Sequence, residues 1–269
     1  MRIARFSLPG GAPTFGVVEL EADQGQFPNT VAAITSDPLT GPVKYTGARH
    51  DLDAVRLLAP VIPRSKVVAM GRNWADHIAE MGESAPVSPT IFIKPNTSVI
   101  GPDQPIVKPV ETSYLSYEGE LAIVIGRICR RVPPERVAEV IFGYTCANDV
   151  TARDLQAEED QWTRAKGFDT FCPLGPWIVT DMTLPQAGSL NIVTTVDGDV
   201  KQDGTTADML RSVGEIVALV SGFATLLPGD VLLSGTPSGV GRLEPGQSVS
   251  VEISGLGTLT NPVVAEGDK

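Results

Sequence analysis

Apolar residues recur along the chain in short runs, alternating with polar ones or continuous, and the runs are broken by glycine, proline and aspartate. That period predicts strands. They fall at Ile3–Leu8, Phe15–Glu19, Val67–Met70, Thr90–Lys94, Glu120–Ile125, Tyr144–Asp149, Trp177–Thr180, Asn191–Val196, Val231–Ser234, Ser248–Ile253 and Thr258–Asn261. The first two pair around Pro9-Gly10-Gly11, and Val196-Asp197-Gly198-Asp199-Val200 is a hairpin signal because Asp-Gly suits a tight turn. Helical signals are fewer. Ser212 with Glu215 forms a capping box before apolar residues, so Ser212–Leu219 is expected to be a helix. Pro134–Val140 is a second candidate, and Asp51 could cap a third that runs to Leu58 before Pro60 and Pro63 end it. Residues 23–50 read as loop, and Leu227-Pro228-Gly229-Asp230 as a turn into a strand.

Strands dominate and no strand–helix unit repeats, which argues for a mainly β chain with some α (α+β) and against a doubly wound sheet. A boundary near 60–65 divides the chain into a small β-rich domain, residues 1–62, and a main domain, residues 63–269. The glycine-rich stretch Gly235-Thr236-Pro237-Ser238-Gly239-Val240-Gly241 fits neither a dinucleotide fingerprint nor a phosphate loop.

The composition, 42% hydrophobic and 20% charged, is that of a folded globular chain. A net charge of -11 repels phosphate backbones, so nucleic acid is not expected as a partner. It leaves room for an anionic substrate, since a bound metal and placed cations reverse the potential inside a pocket. Cys129, Cys146 and Cys172 show no paired spacing and read as buried thiols of a reducing, cytoplasmic compartment. No signal peptide is expected, and the apolar stretch from Ile216 to Leu227 is too short to span a bilayer.

The candidate chemistry begins at Tyr117-Glu118-Gly119-Glu120-Leu121. Side chains two apart in a strand share a face, so both carboxylates converge at the mouth of a buried strand. Two such charges repel unless something positive lies between them, and a hard divalent cation is the natural candidate. Asp149, where Tyr144–Asp149 ends, is placed to be a third ligand. The competing reading is three ordinary solvated acids at strand ends. His50 lies in a polar linker and reads as incidental. His77 and Glu80, at i and i+3 of a possible helical turn, could form a base oriented by a carboxylate, or simply cap a surface helix.

Six segments, in order over roughly residues 65–262, make the chain resemble the fumarylacetoacetate hydrolase family. They are Gly71-Arg72-Asn73-Trp74-Ala75-Asp76-His77, Tyr117-Glu118-Gly119-Glu120-Leu121, Asn148-Asp149-Val150-Thr151-Ala152-Arg153-Asp154, Ala165-Lys166-Gly167-Phe168-Asp169, Gln202-Asp203-Gly204 and Leu233-Ser234-Gly235-Thr236-Pro237-Ser238-Gly239-Val240-Gly241. Trp74 departs from the pattern, where many members carry tyrosine. The resemblance implies a mixed β-sandwich roll, usually in a homodimer. It implies Mg²⁺ or Mn²⁺ on Glu118, Glu120 and Asp149, and a water-activating dyad of His77 and Glu80 on a mobile lid. It also implies that Lys166 contacts the substrate near the metal, and that Gln156 and Thr236 hold its oxygens with Arg72 in the loop beside them.

The implied substrate is a small anionic 2-oxo acid. Hydrolysis of the C–C bond of an acylpyruvate is the first expectation, with His77–Glu80 activating water and the metal and Lys166 stabilising the pyruvate enolate. Oxaloacetate decarboxylation and isomerisation of 2-hydroxyhepta-2,4-diene-1,7-dioate use the same electron sink. A β-domain holding a metal only for structure would instead show a closed shell and no cation facing the cluster. On local grounds Lys166 could be a surface lysine, Arg153 and Asp154 a structural ion pair, Thr236 a turn residue, and Trp162 and Trp177 core.

Overall fold

The structure, a computed structural model, describes residues 1–23, 25–82 and 88–267. Its largest sheet runs, in spatial order, Tyr45–Asp51, Thr30–Ile34, Thr14–Glu19, Arg2–Ser7, Cys172–Val179, Ile141–Asn148, Gly119–Ile125, Val231–Leu233, Val67–Gly71 and Thr90–Lys94. A second sheet orders Asp199–Thr205, Asn191–Val196, Ser248–Ile253, Gly257–Ala265 and Ile106–Lys108. A small third sheet joins Thr151–Ala152, Leu115–Ser116 and Arg242–Leu243. The helices among the described residues are short: α1 Ala75–Glu80, α2 Arg153–Glu158, α3 Thr163–Gly167, α4 Leu184–Ala187 and α5 Val213–Phe223. This is a mixed α+β fold with a β-rich core and a small N-terminal domain.

Gly119–Ile125 lies at the centre, and every residue of it is buried. Leu121, Ile123 and Ile125 pack with Ile192, Val251 and Ile253 of the second sheet and with Ile216, Val217 and Val220 of α5. On the opposite face Ala122 and Val124 pack with Val67, Ala69, Val231 and Leu233. A strand covered on both faces shows a continuous apolar run, which is why the sequence there does not alternate. α5 has the expected capping box, Ser212 and Glu215 each bonding the other's backbone N–H.

Two regions differ from the sequence expectation. Residues 23–50 contain the strands Thr30–Ile34 and Tyr45–Asp51; the latter is mostly exposed, so its residues carry no apolar alternation to read. The helix expected after Asp51 is only a 3-10 turn at Leu52–Ala54, and the Asp51 side chain makes no cap bond. The chain then turns extended, and Arg56–Leu58 pairs with Arg2–Ser7, so sheet pairing wins over the weak local helix signal. Pro134–Glu139 is likewise a 3-10 helix. The N-terminal strands continue the main sheet, since Arg2 and Ile3 pair with Val179 and Ile178. All three cysteines are free and buried. No helix among the described residues is long and apolar enough to cross a membrane.

Candidate active site

Adjacent strands place the three carboxylates. Gly119–Ile125 pairs with Ile141–Asn148 so that Gly119 faces Asn148, and the Asp149 N–H donates to the Glu118 carbonyl at 2.8 Å. Glu118 and Asp149 thus leave neighbouring strand ends side by side, and Glu120 follows two residues on, on the same face. One oxygen from each of Glu118, Glu120 and Asp149 lies within 4.8 Å of the others, and all three residues are buried. Ordinary solvated acids would be exposed. A Cβ at position 119 would meet Thr194 Oγ1 at 2.1 Å, so the residue between the two glutamates must be glycine for the sheets to approach. Buried Gln202 fixes that backbone. Its Oε1 accepts from Gly119 N–H at 2.9 Å, and its Nε2 donates to Thr236 Oγ1 and the Pro237 carbonyl, both at 2.8 Å. Thr236 Oγ1 in turn donates to the Gly119 carbonyl at 2.9 Å.

Three cations face this cluster. Lys166 Nζ donates to Glu118 Oε2 at 2.7 Å and Asp149 Oδ2 at 2.8 Å. Lys94 Nζ donates to Asp149 Oδ1 and, at 3.2 Å, to the Val150 carbonyl. Arg153 Nη2 lies 2.6 Å from Glu118 Oε1, an ion pair whose angle is not that of a hydrogen bond. The sequence pairing of Arg153 with Asp154 is not formed. Arg153 turns inward, while Asp154 accepts from the Thr112 hydroxyl and from the Ser113 hydroxyl and N–H. Lys166 is 2% exposed and is no surface lysine.

The electrostatics are uneven. Burial alone would push the Glu118 carboxyl up, but the charges of Lys166, Arg153 and His77 hold it below the usual carboxylate range. Glu120 is pushed well above that range by burial first, then by the charges of Asp149 and Glu118. Gly235 N–H reaches Glu120 Oε2 at 2.8 Å, but among the described residues no cation pairs with it. The cluster is therefore short of positive charge at Glu120, and its donors are all oxygen. Both features fit a hard divalent cation.

The cluster opens on a cavity of about 380 Å³. Arg72, His77, Gln156, Lys166 and Thr236 line it together with Glu118 and Glu120. Asp149, bonded to Lys166, and Glu80, bonded to His77, are not among the lining residues. Three cations and an open cavity are the reverse of a closed structural metal shell. Gln156 Oε1 accepts from Arg153 Nη1 at 2.9 Å, which steadies both on the cavity wall. The Thr236 hydroxyl hydrogen is committed to Gly119, so this hydroxyl serves the cluster's backbone.

α1 carries the dyad. His77 Nδ1 meets Glu80 Oε2 at 3.2 Å, and Glu80 Oε1 accepts from Gly239 N–H at 3.0 Å. Gly239 has φ +97, and a Cβ there would lie 2.0 Å from the Lys201 carbonyl oxygen. Tyr117 Oη donates to the Gly239 carbonyl at 2.8 Å; its hydroxyl is pushed up to about 12 by burial, then by the charge of Glu80. His77 is 9% exposed, which sets α1 apart from a capped surface helix. With Glu80 as acceptor, Nδ1 carries the hydrogen and Nε2 is the basic nitrogen left for a ligand.

Arg72, at φ +57, stands 5.5 Å from the Trp162 ring. Trp162 is half-buried on the cavity wall, edge-on to Phe92 at 5.4 Å, and not in the core; Trp177 is a core residue. Lys94, Arg153, Gln202 and Trp162 are the residues whose place at the site sequence reasoning did not assign. Arg153 and Gln202 lie inside the matched segments, and that is the signal that could have found them. Lys94 showed only a charged residue at the end of an apolar strand.

The family model described as Fumarylacetoacetate (FAA) hydrolase C-terminal matches residues 66–264, and that described as Rv2993c-like, N-terminal matches residues 1–60. A 2-hydroxyhepta-2,4-diene-1,7-dioate isomerase structure from Mycobacterium marinum is 47% identical with TM-score 0.89, covering 100% of both chains. A 5-carboxymethyl-2-hydroxymuconate delta-isomerase structure from Mycobacterium smegmatis is 48% identical with TM-score 0.88, covering 99% of this chain and 100% of that one. The mitochondrial oxaloacetate tautomerase Fahd2a of Rattus norvegicus is 38% identical over 93% of this chain and 84% of its own. The chain belongs to the fumarylacetoacetate hydrolase family.

Proposed function

We propose that this chain is a divalent-metal-dependent isomerase that moves a proton at the carbon beside the ketone of a small anionic 2-oxo acid. The observation that carries the reading is the full-length similarity, at 47% and 48% identity, to two isomerases of 2-hydroxy-dienedioate type. The sequence alone favours hydrolysis of an acylpyruvate; the comparisons support the isomerase alternative better, and the rat tautomerase points the same way.

Glu118, Glu120 and Asp149 would hold Mg²⁺ or Mn²⁺, which when bound polarises the substrate carbonyl and favours negative charge on its oxygen. His77, on the cavity wall, is the group that takes the proton from the 2-hydroxyl of the enol and delivers it to carbon, at C3 or, along the conjugated chain, at C5. Glu80 keeps the imidazole in the tautomer that can do so. Lys166, already beside two of the carboxylates, supplies positive charge where the enolate oxygen develops. Arg72 and Gln156, both on the cavity wall, would hold a carboxylate of the substrate. No bond to water forms and no carbon–carbon bond breaks, so one base suffices.

Product analysis tests this. The Mn²⁺-loaded protein is incubated in D₂O with 2-hydroxyhepta-2,4-diene-1,7-dioate, acetylpyruvate and oxaloacetate and followed by NMR. Ketonisation with deuterium at carbon and no fragment release is the expected result. Release of pyruvate with a carboxylic acid as the main product would overturn it in favour of the second reading, hydrolysis, which the matched family's own description favours. Loss of CO₂ from oxaloacetate as the main reaction would favour decarboxylation. Lys166→Met is expected to lower kcat/KM about 10²-fold or more, the scale of one transition-state donor. Calorimetry should still show metal binding; wild-type kinetics in the folded variant would remove Lys166 from the mechanism.

A further inference from the structure

Two cations at the site have no role in the reaction above, Arg153 on the cavity wall and Lys94 beneath it, and Lys94 is the fully buried one. It closes the strand Thr90–Lys94, is 0% exposed, and donates to Asp149 Oδ1 and the Val150 carbonyl. A lysine is almost never buried so completely unless paired. Yet its partner is already paired, since Asp149 Oδ2 accepts from Lys166 at 2.8 Å. One carboxylate with two buried ammonium groups makes sense only on the scale of the whole cluster. There Glu118, Glu120 and Asp149 are met by Lys94, Lys166 and Arg153, so the protein part is formally neutral. A divalent ion then leaves the loaded site two charges positive.

A chelating 2-oxo acid offers such a site different charges in its two forms. The keto acid brings one negative charge, on its carboxylate. The enolate left by removing a proton from C3 brings a second, on the 2-oxygen. Only the enolate balances the loaded site. We propose that Lys94 is a positioning residue which, by cancelling the charge of Asp149, sets the site to prefer the enolate over the keto form. Lys94 touches neither the reacting atoms nor the cavity; it acts through Asp149. The inference rests on the 2-oxo acid reading above and gives that reading its electrostatic selectivity.

The test needs no turnover. Oxalate is a planar chelating dianion and stands for the enolate; pyruvate is the chelating monoanion. Their dissociation constants are measured by calorimetry on Mn²⁺-loaded wild type, Lys94→Gln and Lys94→Arg. Lys94→Gln keeps donor atoms for Asp149 and Val150 but removes the charge. The preference for oxalate over pyruvate is expected to fall at least about tenfold in Lys94→Gln, since a charge a few ångströms away in a low-dielectric cavity is worth more than that. It should return toward wild type in Lys94→Arg. Lys94→Met, which asks for no hydrogen bond, is the second neutral variant, and both are prepared with Mn²⁺ present so that the metal offsets the unpaired Asp149. A purely structural lysine would weaken both ligands alike and leave the ratio unchanged, which overturns the proposal. If the wild type binds neither ligand, the 2-oxo acid reading itself fails. If the wild type prefers oxalate and the neutral variants keep that preference, only the role of Lys94 fails.

Discussion

Replacing Glu118 with alanine is expected to lower divalent-metal affinity by orders of magnitude and to abolish turnover. Glu118 supplies one of three oxygens that converge within 4.8 Å, and it also anchors Lys166 and Arg153. Removing it takes away a ligand, leaves Arg153 without its carboxylate and strips Lys166 of one of its two. Breaking a buried ion pair from one side typically costs about 3–5 kcal/mol, so the thermal midpoint should fall as well. Chelation of the wild type should likewise stop turnover, and Mg²⁺ or Mn²⁺ should restore it. Glu120→Gln separates the two effects. Glu120 is pressed by the charges of Asp149 and Glu118 and has no cation of its own among the described residues. Neutralising it relieves repulsion in the metal-free protein, so its melting point should hold or rise while metal affinity still drops. Calorimetry and melting curves on both variants check this. Metal affinity that stays at the wild-type level in Glu118→Ala would sink the assignment.

The contrast between Glu118 and Glu120 also marks how far the sequence could be read. Their convergence follows from the strand period, and the structure places both at the mouth of the buried strand. Asp149 was legible for the same reason, as the residue where an apolar run ends. What the spacing could not reveal is which cation goes where. Lys94 and Asp149 are 55 positions apart, Arg153 and Glu118 35, and neither pairing leaves a local trace. Arg153 beside Asp154 looked like a neighbourly ion pair, but adjacent residues on a helix do not face each other, and Asp154 instead finds the Thr112 and Ser113 donors. α2 and α3 carry Gln156 and Lys166 yet are too short to show a 3.6-residue period. Tyr45–Asp51 escaped because an exposed strand owes its place to backbone pairing with Thr30–Ile34, which side-chain hydropathy does not record. α5, with a capping box and a buried face, was the opposite case.

His77→Ala is expected to lower kcat by about 10²–10⁴-fold, the range for losing a positioned general base. His77 is the cavity-lining histidine, and its Nδ1 is held by Glu80, which Gly239 and, through it, Tyr117 hold in turn. Glu80→Gln keeps the ring and the acceptor for Gly239 N–H, but its amide now offers a donor to Nδ1. That favours the tautomer with hydrogen on Nε2, which cannot take a proton. The loss should approach, without reaching, that of His77→Ala. The same variants separate the reactions, because they need the base at different steps. In an isomerase the base moves the proton between the enol oxygen and carbon, so uptake of deuterium from D₂O at carbon, C3 included, should collapse together with turnover. In a hydrolase the base acts on water, so cleavage would fall while C3 exchange continues. Oxaloacetate decarboxylation needs no base once the ketone is held, and should survive best in either case. Measuring exchange, cleavage and decarboxylation on one preparation of each variant cancels errors in protein and metal content. If His77→Ala lowers all three equally, the helix positions the substrate or closes the cavity, and proton transfer must be assigned to another group.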